Sequence, residues 1–156
     1  MSMKIFKYQP VVTPGPFGTD YRPRVNLEHN DNLYIEIAEF EDWRYVGVDD
    51  SVTVEIPEEV TTWEEVVVTP EIRNKIKRNS PYCILAQQNF INSIRKNHSL
   101  DDELYYARIS TGVLMTTYTL RPGEAELLTQ YQVDVEEARV ELHAKYAAIG
   151  LTEPED

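Results

Sequence analysis

The hydrophobic period of the chain changes near residue 69, and this change constrains the fold more than any other feature. Before it, apolar residues alternate with polar ones over 33–38 and 52–56, the pattern of β-strands with one buried face. From Thr69-Pro70 onward, hydroxyl–proline pairs mark helix starts, because the hydroxyl caps free N–H groups and proline suits the first turn. The sequence therefore predicts an α+β protein, in which a small antiparallel β-meander is followed by three or four α-helices.

The meander is predicted to contain three strands, at 33–38, 43–48 and 52–56, with Val66–Val68 as a candidate fourth. Acidic turns separate these strands, since Asp and Ser side chains hydrogen-bond to nearby backbone groups and favour turns. Ahead of the meander, residues 9–24 hold four of the nine prolines and are predicted to form an extended N-terminal arm. Two interpretations of the arm stay open: a solvated loop, or a contact with a neighbouring subunit through Phe17 and Tyr21.

Local signals place two further helices after the one at Thr69. The first of these runs from Pro81 to about Lys96, and its predicted buried residues are Ile84, Phe90, Ile91 and Ile94. The next follows Ser99, where a hydroxyl and the acids after it resemble a capping box. β-Branched threonines disfavour its continuation beyond residue 115.

The long C-terminal helix is predicted over 122–149, with Pro122 in its first turn and Gly150 as the residue that ends it. One apolar stripe, spaced mostly by three and four, is predicted to face the core: Leu128, Tyr131, Val135, Ala138, Leu142, Tyr146 and Ile149. A second, thinner stripe contains Val133, Val140 and Ala147. It faces a partner in one interpretation and belongs to a single wide core-facing surface in the other.

Within one globular unit, we divide the chain into an arm and loop (1–27), an acidic β subdomain (28–69), a helical subdomain (70–151) and a tail (152–156).

The formal charge of the chain is distributed in similar blocks. Residues 28–71 contain fourteen acids and one cation, whereas residues 72–97 contain six cations and no acid. Opposed charge blocks on a small protein orient its contacts with other macromolecules. The net charge of −12 disfavours nucleic acid as a partner, because phosphate contacts need clustered cations.

No residue pattern in the sequence identifies a chemistry. The three histidines are far apart, and Cys83 lies in an apolar run that is typical of a buried thiol. Phosphate-binding glycine loops, nucleophile elbows and zinc-protease motifs are absent from the sequence. We therefore predict no catalytic residue, no cofactor and no metal. No secretory or membrane-spanning segment is recognised, so the expected location is the cytoplasm, without a membrane partner.

The order of segments resembles small accessory proteins of bacteriophage particles. An acidic β-rich part is followed by TPEIRNKIKRNSPY (69–82), by SLDDELYYARISTG (99–112) and by a terminal helix that ends in AAIGL (147–151). The resemblance covers roughly residues 60–151 and assigns no role to any single residue. It implies a location in the host cytoplasm and then in the virion.

These observations predict a non-enzymatic structural or assembly subunit of a larger, homo-oligomeric complex. Its expected partner-binding residues are Phe17, Tyr21, Arg73, Lys77, Val133 and Val140. The first alternative is an acidic inhibitor that mimics nucleic acid, which would need its carboxylates on one continuous face. The second alternative is a small ligand-binding or enzymatic domain, which would need an apolar pocket with converging polar groups.

Overall fold

A computed structural model describes residues 2–9, 13–18, 20–21, 34–54, 56, 58 and 60–152. The fold is α+β, with a four-stranded antiparallel sheet and four helices. The chain divides into two compact units. The sheet unit comprises Met1–Leu85 and Lys145–Asp156, and the helical unit comprises Ala86–Ala144. This division differs from the predicted subdomains, since the first helix and the end of the last helix belong to the sheet unit.

The main sheet has the strand order β4-β5-β1-β6, and every neighbouring pair is antiparallel. A separate two-stranded sheet joins β2 to β3, with a short 3-10 turn over Pro16–Gly18 between them. The strands are β1 Met3–Tyr8, β2 Thr13–Pro14, β3 Asp20–Tyr21, β4 Tyr34–Phe40, β5 Trp43–Asp49 and β6 Glu64–Glu65.

The prediction that residues 1–27 form an arm is wrong for residues 3–8. This segment is β1, which lies inside the sheet between β5 and β6, and its Ile5 and Tyr8 side chains are buried. β1 takes the place beside β5 that the predicted third strand at 52–56 was expected to fill. Val52 and Val54 instead pack, without a strand ladder, against a buried cluster of Tyr8, Val46, Val48 and Val60. Residues 1, 10–12, 19 and 22–27 of the predicted arm and loop, and residues 28–33 of the predicted β subdomain, lie outside the described residues.

The β4–β5 hairpin is confirmed, and its two-residue turn is conformationally demanding. Glu41 and Asp42 both have positive φ values, 53° and 66°. Such a turn matches the natural twist of a hairpin, although Asn and Gly adopt it more readily than Glu. The predicted fourth strand is present two residues earlier than expected, as β6, and the Val66 N–H that follows donates to the Ile5 carbonyl at 2.8 Å.

Four helices follow, and their predicted starts are largely confirmed. The Thr69 hydroxyl accepts from the Ile72 N–H at 3.3 Å, and Ser99 and Asp102 form a reciprocal capping box. The helices are α1 Pro70–Asn79, α2 Pro81–Arg95, α3 Leu100–Leu114 and α4 Glu124–Ala147.

In α2 the predicted burial of Ile84 and Ile91 is wrong. Both are exposed, because the buried side of this helix carries Cys83, Ala86 and Ile94.

The C-terminal end of α4 closes as the sequence predicts. Gly150 has φ 88°, and the Leu151 N–H donates to the Tyr146 carbonyl at 2.9 Å, which completes a Schellman motif. Leu151 is buried, and a Cβ added to Gly150 would lie 3.1 Å from the Met3 carbonyl oxygen. The turn at Gly150 therefore packs closely on β1. The start of α4 is later than predicted, at Glu124 rather than Pro122.

Candidate functional site

The most exposed apolar surface of the helical unit is one side of α3. We call it the α3 outer face and define it by Leu100, Leu104, Ala107, Thr111 and Leu114. Leu100, Leu104 and Leu114 are 57%, 61% and 85% exposed. The spacing of four, three, four and three residues keeps these positions in line along the helix, as in the seam of a coiled coil.

The same helix has a second apolar side, which packs within the helical unit. Tyr106 and Ile109 are buried there. At 3.6 residues per turn, the centre of this buried side lies about 150° around the helix from the α3 outer face. α3 is therefore apolar on two nearly opposite sides, and in the part of the chain that the structure describes one side is buried while the other is exposed.

A second exposed apolar surface lies on α4. Val133 and Val140 are 45% and 60% exposed and line a shallow groove of about 370 Å³ with Glu136 and Glu137. We call this groove the α4 outer face. The residues of the predicted core stripe are all buried or half-buried. The interpretation of α4 as one wide core-facing surface is therefore wrong, while a partner at Val133 and Val140 stays a prediction.

The remaining predicted contact residues have different environments. Phe17 is fully exposed and adopts a positive φ of 64°, and Tyr21 lies in β3. The prediction of Arg73 as a surface contact is wrong. The side chain is 7% exposed because it lies on the same side of α1 as the buried Ile76. The Lys77 ammonium lies 4.6 Å from the centre of the Tyr146 ring, so this residue already takes part in a contact within the sheet unit.

The interior of the helical unit is polar and aromatic. The His98 Nε2 atom lies 2.7 Å from Oδ2 of Asp134, and Gln130 donates to Oδ1 of the same carboxylate at 2.8 Å. The His98 ring also makes edge contacts with Tyr106 and Tyr131. The hydrogen bond from His98 holds the pKa of Asp134 below its ordinary value. Sequence reasoning missed this pair, since the two residues are 36 positions apart and neither lies in a motif.

A second carboxylate joins all three helices of the unit. Glu103 on α3 pairs with Arg95 on α2 at 2.6 Å and accepts from the Tyr131 hydroxyl on α4 at 3.0 Å. Burial, followed by the bond to Glu103, raises the pKa of Tyr131. Because both oxygens of Glu103 have partners, the side chain acts as a fixed bridge between helices.

The third carboxylate, Glu124, stands at the start of α4 and is buried. It accepts hydrogen bonds from the Tyr105 hydroxyl, from the Tyr118 hydroxyl at 2.8 Å and from the Arg121 N–H at 2.8 Å. These bonds, with Tyr105 first, lower the pKa of Glu124. The bond to Glu124 in turn raises the pKa of Tyr105 to about 12. Such a carboxylate is held ionised by its donors, and it anchors the α3–α4 connection.

Two candidate nucleophiles, the Ser99 hydroxyl and the Cys83 thiol, lie in environments that do not activate them. The Ser99 hydroxyl accepts from the Asp102 N–H, so it caps α3 and does not pair with His98 as a nucleophile would. Burial raises the pKa of the Cys83 thiol, which disfavours the reactive thiolate. The residues that the structure describes contain no group of three or more His, Cys, Asp or Glu side chains placed to hold a metal ion. His29 lies outside the described residues.

Half-open recesses of about 280 and 350 Å³ lie beside Trp63 and Tyr118. A smaller one in the sheet unit is lined in part by Tyr8, Ile37, Arg44 and Tyr45. Its volume is about 190 Å³. Typical small-molecule sites measure about 300–1,000 Å³. The Arg44 guanidinium is also paired with Glu39 at 3.2 Å, so its charge is largely compensated. The recess therefore gives little support to the ligand-binding alternative.

Comparisons with known proteins add no family to this description. No protein-family model matches the chain, and neither a curated protein nor a solved structure is significantly similar to it. Among the described residues, no helix has both the length and the apolar character needed to cross a membrane. The functional conclusion therefore depends on the exposed helix faces and the polar clusters.

Proposed function

We propose that this chain is a non-enzymatic structural or assembly subunit, which docks onto other protein chains through exposed helix faces. The α3 outer face carries this proposal. Its three leucines are more than half exposed, although the opposite side of the same helix already supplies the residues that pack inside the unit. Contiguous exposed apolar surface on a small protein is typical of an interaction site.

Burial of the α3 outer face by another chain would be energetically favourable. Full burial of a leucine side chain contributes about 1.5–3 kcal/mol relative to leaving it in water. Three such side chains in line would contribute several kcal/mol on association, before the entropic cost of docking. Polar residues at these positions would serve an isolated chain equally well.

Charge pairing within the sheet unit argues against the nucleic-acid mimic. Lys7 pairs with Glu64 at 3.5 Å, and Lys75 lies 3.5 Å from both Glu41 and Glu71. A mimic of nucleic acid would present its carboxylates on one continuous face without nearby cations. The acidic and basic blocks of the sequence instead compensate each other in part within one chain.

We propose a bacteriophage virion as the larger assembly, on the basis of the resemblance of residues 60–151 to accessory proteins of phage particles. Such subunits act by binding other chains, which agrees with a protein whose clusters lack an exposed nucleophile or base. The α4 outer face would then supply a second contact, because it lies on a different helix from the α3 outer face.

Self-association of the purified chain tests the proposal. Sedimentation velocity over a range of concentrations should show reversible oligomers. Leu104→Asp and Val140→Asp should each reduce them, with an unchanged far-ultraviolet circular dichroism spectrum. Thr119→Asp, at an exposed position outside both faces, is the matched control. A wild-type chain that stays monomeric at every concentration would contradict the homo-oligomeric subunit.

A further inference from the structure

We infer that the α3 outer face binds the same face of a second copy of this chain, with the two α3 helices antiparallel. The inference rests on the proposed function, because it names the partner of one proposed docking surface. It is carried by the spacing of the apolar residues and by the charges that flank them. A two-fold symmetric contact requires a surface that is complementary to itself, and this face meets that requirement.

The apolar positions of the face define a short coiled-coil seam. The intervals from Leu100 to Thr111 are four, three and four residues, which is the spacing that lets two helices interlock side chains along a common line, and Leu114 continues that line beyond the paired part. The seam combines large and small residues. In an antiparallel pair, Leu104 of one copy can therefore lie against Ala107 of the other, and Leu100 against Thr111.

The flanking charges select the orientation and the register. Asp101 and Arg108 are seven residues apart, about two helical turns, and so lie on the same flank of the seam. When Leu104 meets Ala107 of the second copy, Asp101 faces Arg108 of that copy, and symmetry repeats the pair. A shift of one helix by seven residues would bring Leu114 into the seam. In that register Arg108 of one copy would face Arg108 of the second copy. Like charges in that position disfavour the second register.

The other flank of the seam agrees with the antiparallel arrangement. There Glu103 would face the neutral Ser110 of the second copy, and no like charges meet. A parallel pair would instead need Glu103 to bind Arg108 of the second copy. Both oxygens of Glu103 are already bound, to Arg95 and to the Tyr131 hydroxyl. A parallel pair would also align the two helix dipoles unfavourably.

Charge reversal tests the register. Asp101→Arg and Arg108→Asp should each raise the dissociation constant of the self-association at least about tenfold, because two ion pairs become two repulsions in every dimer. The double variant Asp101→Arg/Arg108→Asp should restore most of the affinity. Thermal melts identify any variant that is unfolded. Two single variants with wild-type affinity, or a double variant weaker than both, would overturn the register.

Cross-linking tests the orientation independently. Leu104→Cys and Ala107→Cys introduce exposed thiols, whereas the native Cys83 is buried. With a short bifunctional thiol reagent, an equimolar mixture of the two variants should form covalent dimers more efficiently than either variant alone. Dimers formed best by Leu104→Cys alone would indicate parallel helices and overturn the inference.

The two proposals fail in different ways. Oligomers of the wild-type chain that resist Leu104→Asp and give no cross-link at these positions would overturn the α3 pairing and leave the subunit role intact. A chain that stays monomeric at all concentrations would contradict both the pairing and the homo-oligomeric subunit.

Discussion

The two units of the chain bury apolar residues to different extents. The sheet unit has an apolar cluster of Tyr8, Val46, Val48 and Val60, with aromatic rings stacked beside it. Among the described residues, fourteen apolar side chains are buried in the sheet unit and five in the helical unit, namely Ala86, Ile94, Tyr106, Ile109 and Ala138. There, hydrogen-bonded carboxylates join the helices while several leucines face water. This contrast supports our proposal that the helical unit keeps apolar surface for other chains.

The energetics of the two kinds of interior agree with this division. A hydrogen bond contributes about 0.5–1.5 kcal/mol net, whereas burial of a large apolar side chain contributes about 1.5–3 kcal/mol. Hydrogen bonds are directional, however, so the carboxylate bridges fix the positions of α3 and α4 more than they add to their stability. Precise placement would matter if these helices present outer faces to other chains, as we propose.

The largest expected effect is on the core of the sheet unit. Tyr8 is fully buried, and its ring stacks on Trp63 with 5.6 Å between ring centres. Tyr8→Ala should lower the free energy of unfolding by about 3–5 kcal/mol, the usual cost of removing a buried aromatic ring. Phe17→Ala removes a fully exposed ring and should change it by less than about 0.5 kcal/mol. Denaturant titration compares them, and equal effects would contradict the central position of β1.

Two glycines with the same backbone φ, one in each unit, allow the stability of the two units to be compared by the same substitution. Gly150 and Gly123 both have φ 88°, so alanine at either position costs about 1–2 kcal/mol of backbone strain. A Cβ at Gly150 would also lie 3.1 Å from the Met3 carbonyl, whereas no atom lies within 4 Å at Gly123. Gly150→Ala should therefore lower the melting temperature more than Gly123→Ala. The reverse order would show that the C-terminal turn does not pack tightly on β1.

The polar interior of the helical unit predicts a dependence on pH at both extremes. The lowered pKa of Glu124 stabilises the fold above the ordinary Glu value of about 4.3, and this contribution is lost as pH falls through the lowered value. The pKa of Tyr105 is raised to about 12. Its contribution is complete below the ordinary Tyr value of about 10 and is lost as pH rises towards the raised value.

Tyrosinate absorbance during an alkaline titration measures the second effect. Glu124→Gln should return the pKa values of both Tyr105 and Tyr118 towards the ordinary value, and Tyr105→Phe should remove one late-titrating tyrosine from the titration. A Tyr105 that already titrates normally in the wild-type protein would show that the bond to Glu124 does not form in solution.

The smallest expected effect on stability is at the α4 outer face. Val140 is exposed, so Val140→Asp should change the free energy of unfolding by less than about 0.5 kcal/mol. Leu142 is half-buried on the predicted core stripe, and Leu142→Ala should destabilise the isolated chain measurably. Similar melting temperatures for the two variants would remove the distinction between the stripes.

Sequence reasoning succeeded where the signal was local. Thr69, Ser99 and Gly150 could be assigned as caps because a cap is defined by a few neighbouring residues. It failed where a long-range partner decides the outcome. Strand β1 pairs with residues about forty positions away, as Ile5 does with Gly47, and no local pattern distinguishes it from the segment at 52–56.

The same limit applies to the candidate site. The spacing on α4 left two interpretations of Val133 and Val140 open until their exposure was known, and Ile84 and Ile91 were assigned to the wrong side of α2. An amphipathic pattern with two apolar sides does not reveal which side its own chain covers. The polar bridges His98–Asp134 and Arg95–Glu103 depend on helix packing, so the sequence contains no signal for them.

The central claim is that the helical unit keeps an apolar face for another chain. Sedimentation velocity of the wild-type protein beside Leu104→Asp, in low and high salt, tests it most directly. We expect concentration-dependent oligomers of the wild-type chain that weaken in high salt, since the flanking ion pairs are screened. We expect the folded variant to form fewer oligomers than the wild-type chain in both solutions. Identical monomeric profiles for the two proteins would contradict the claim.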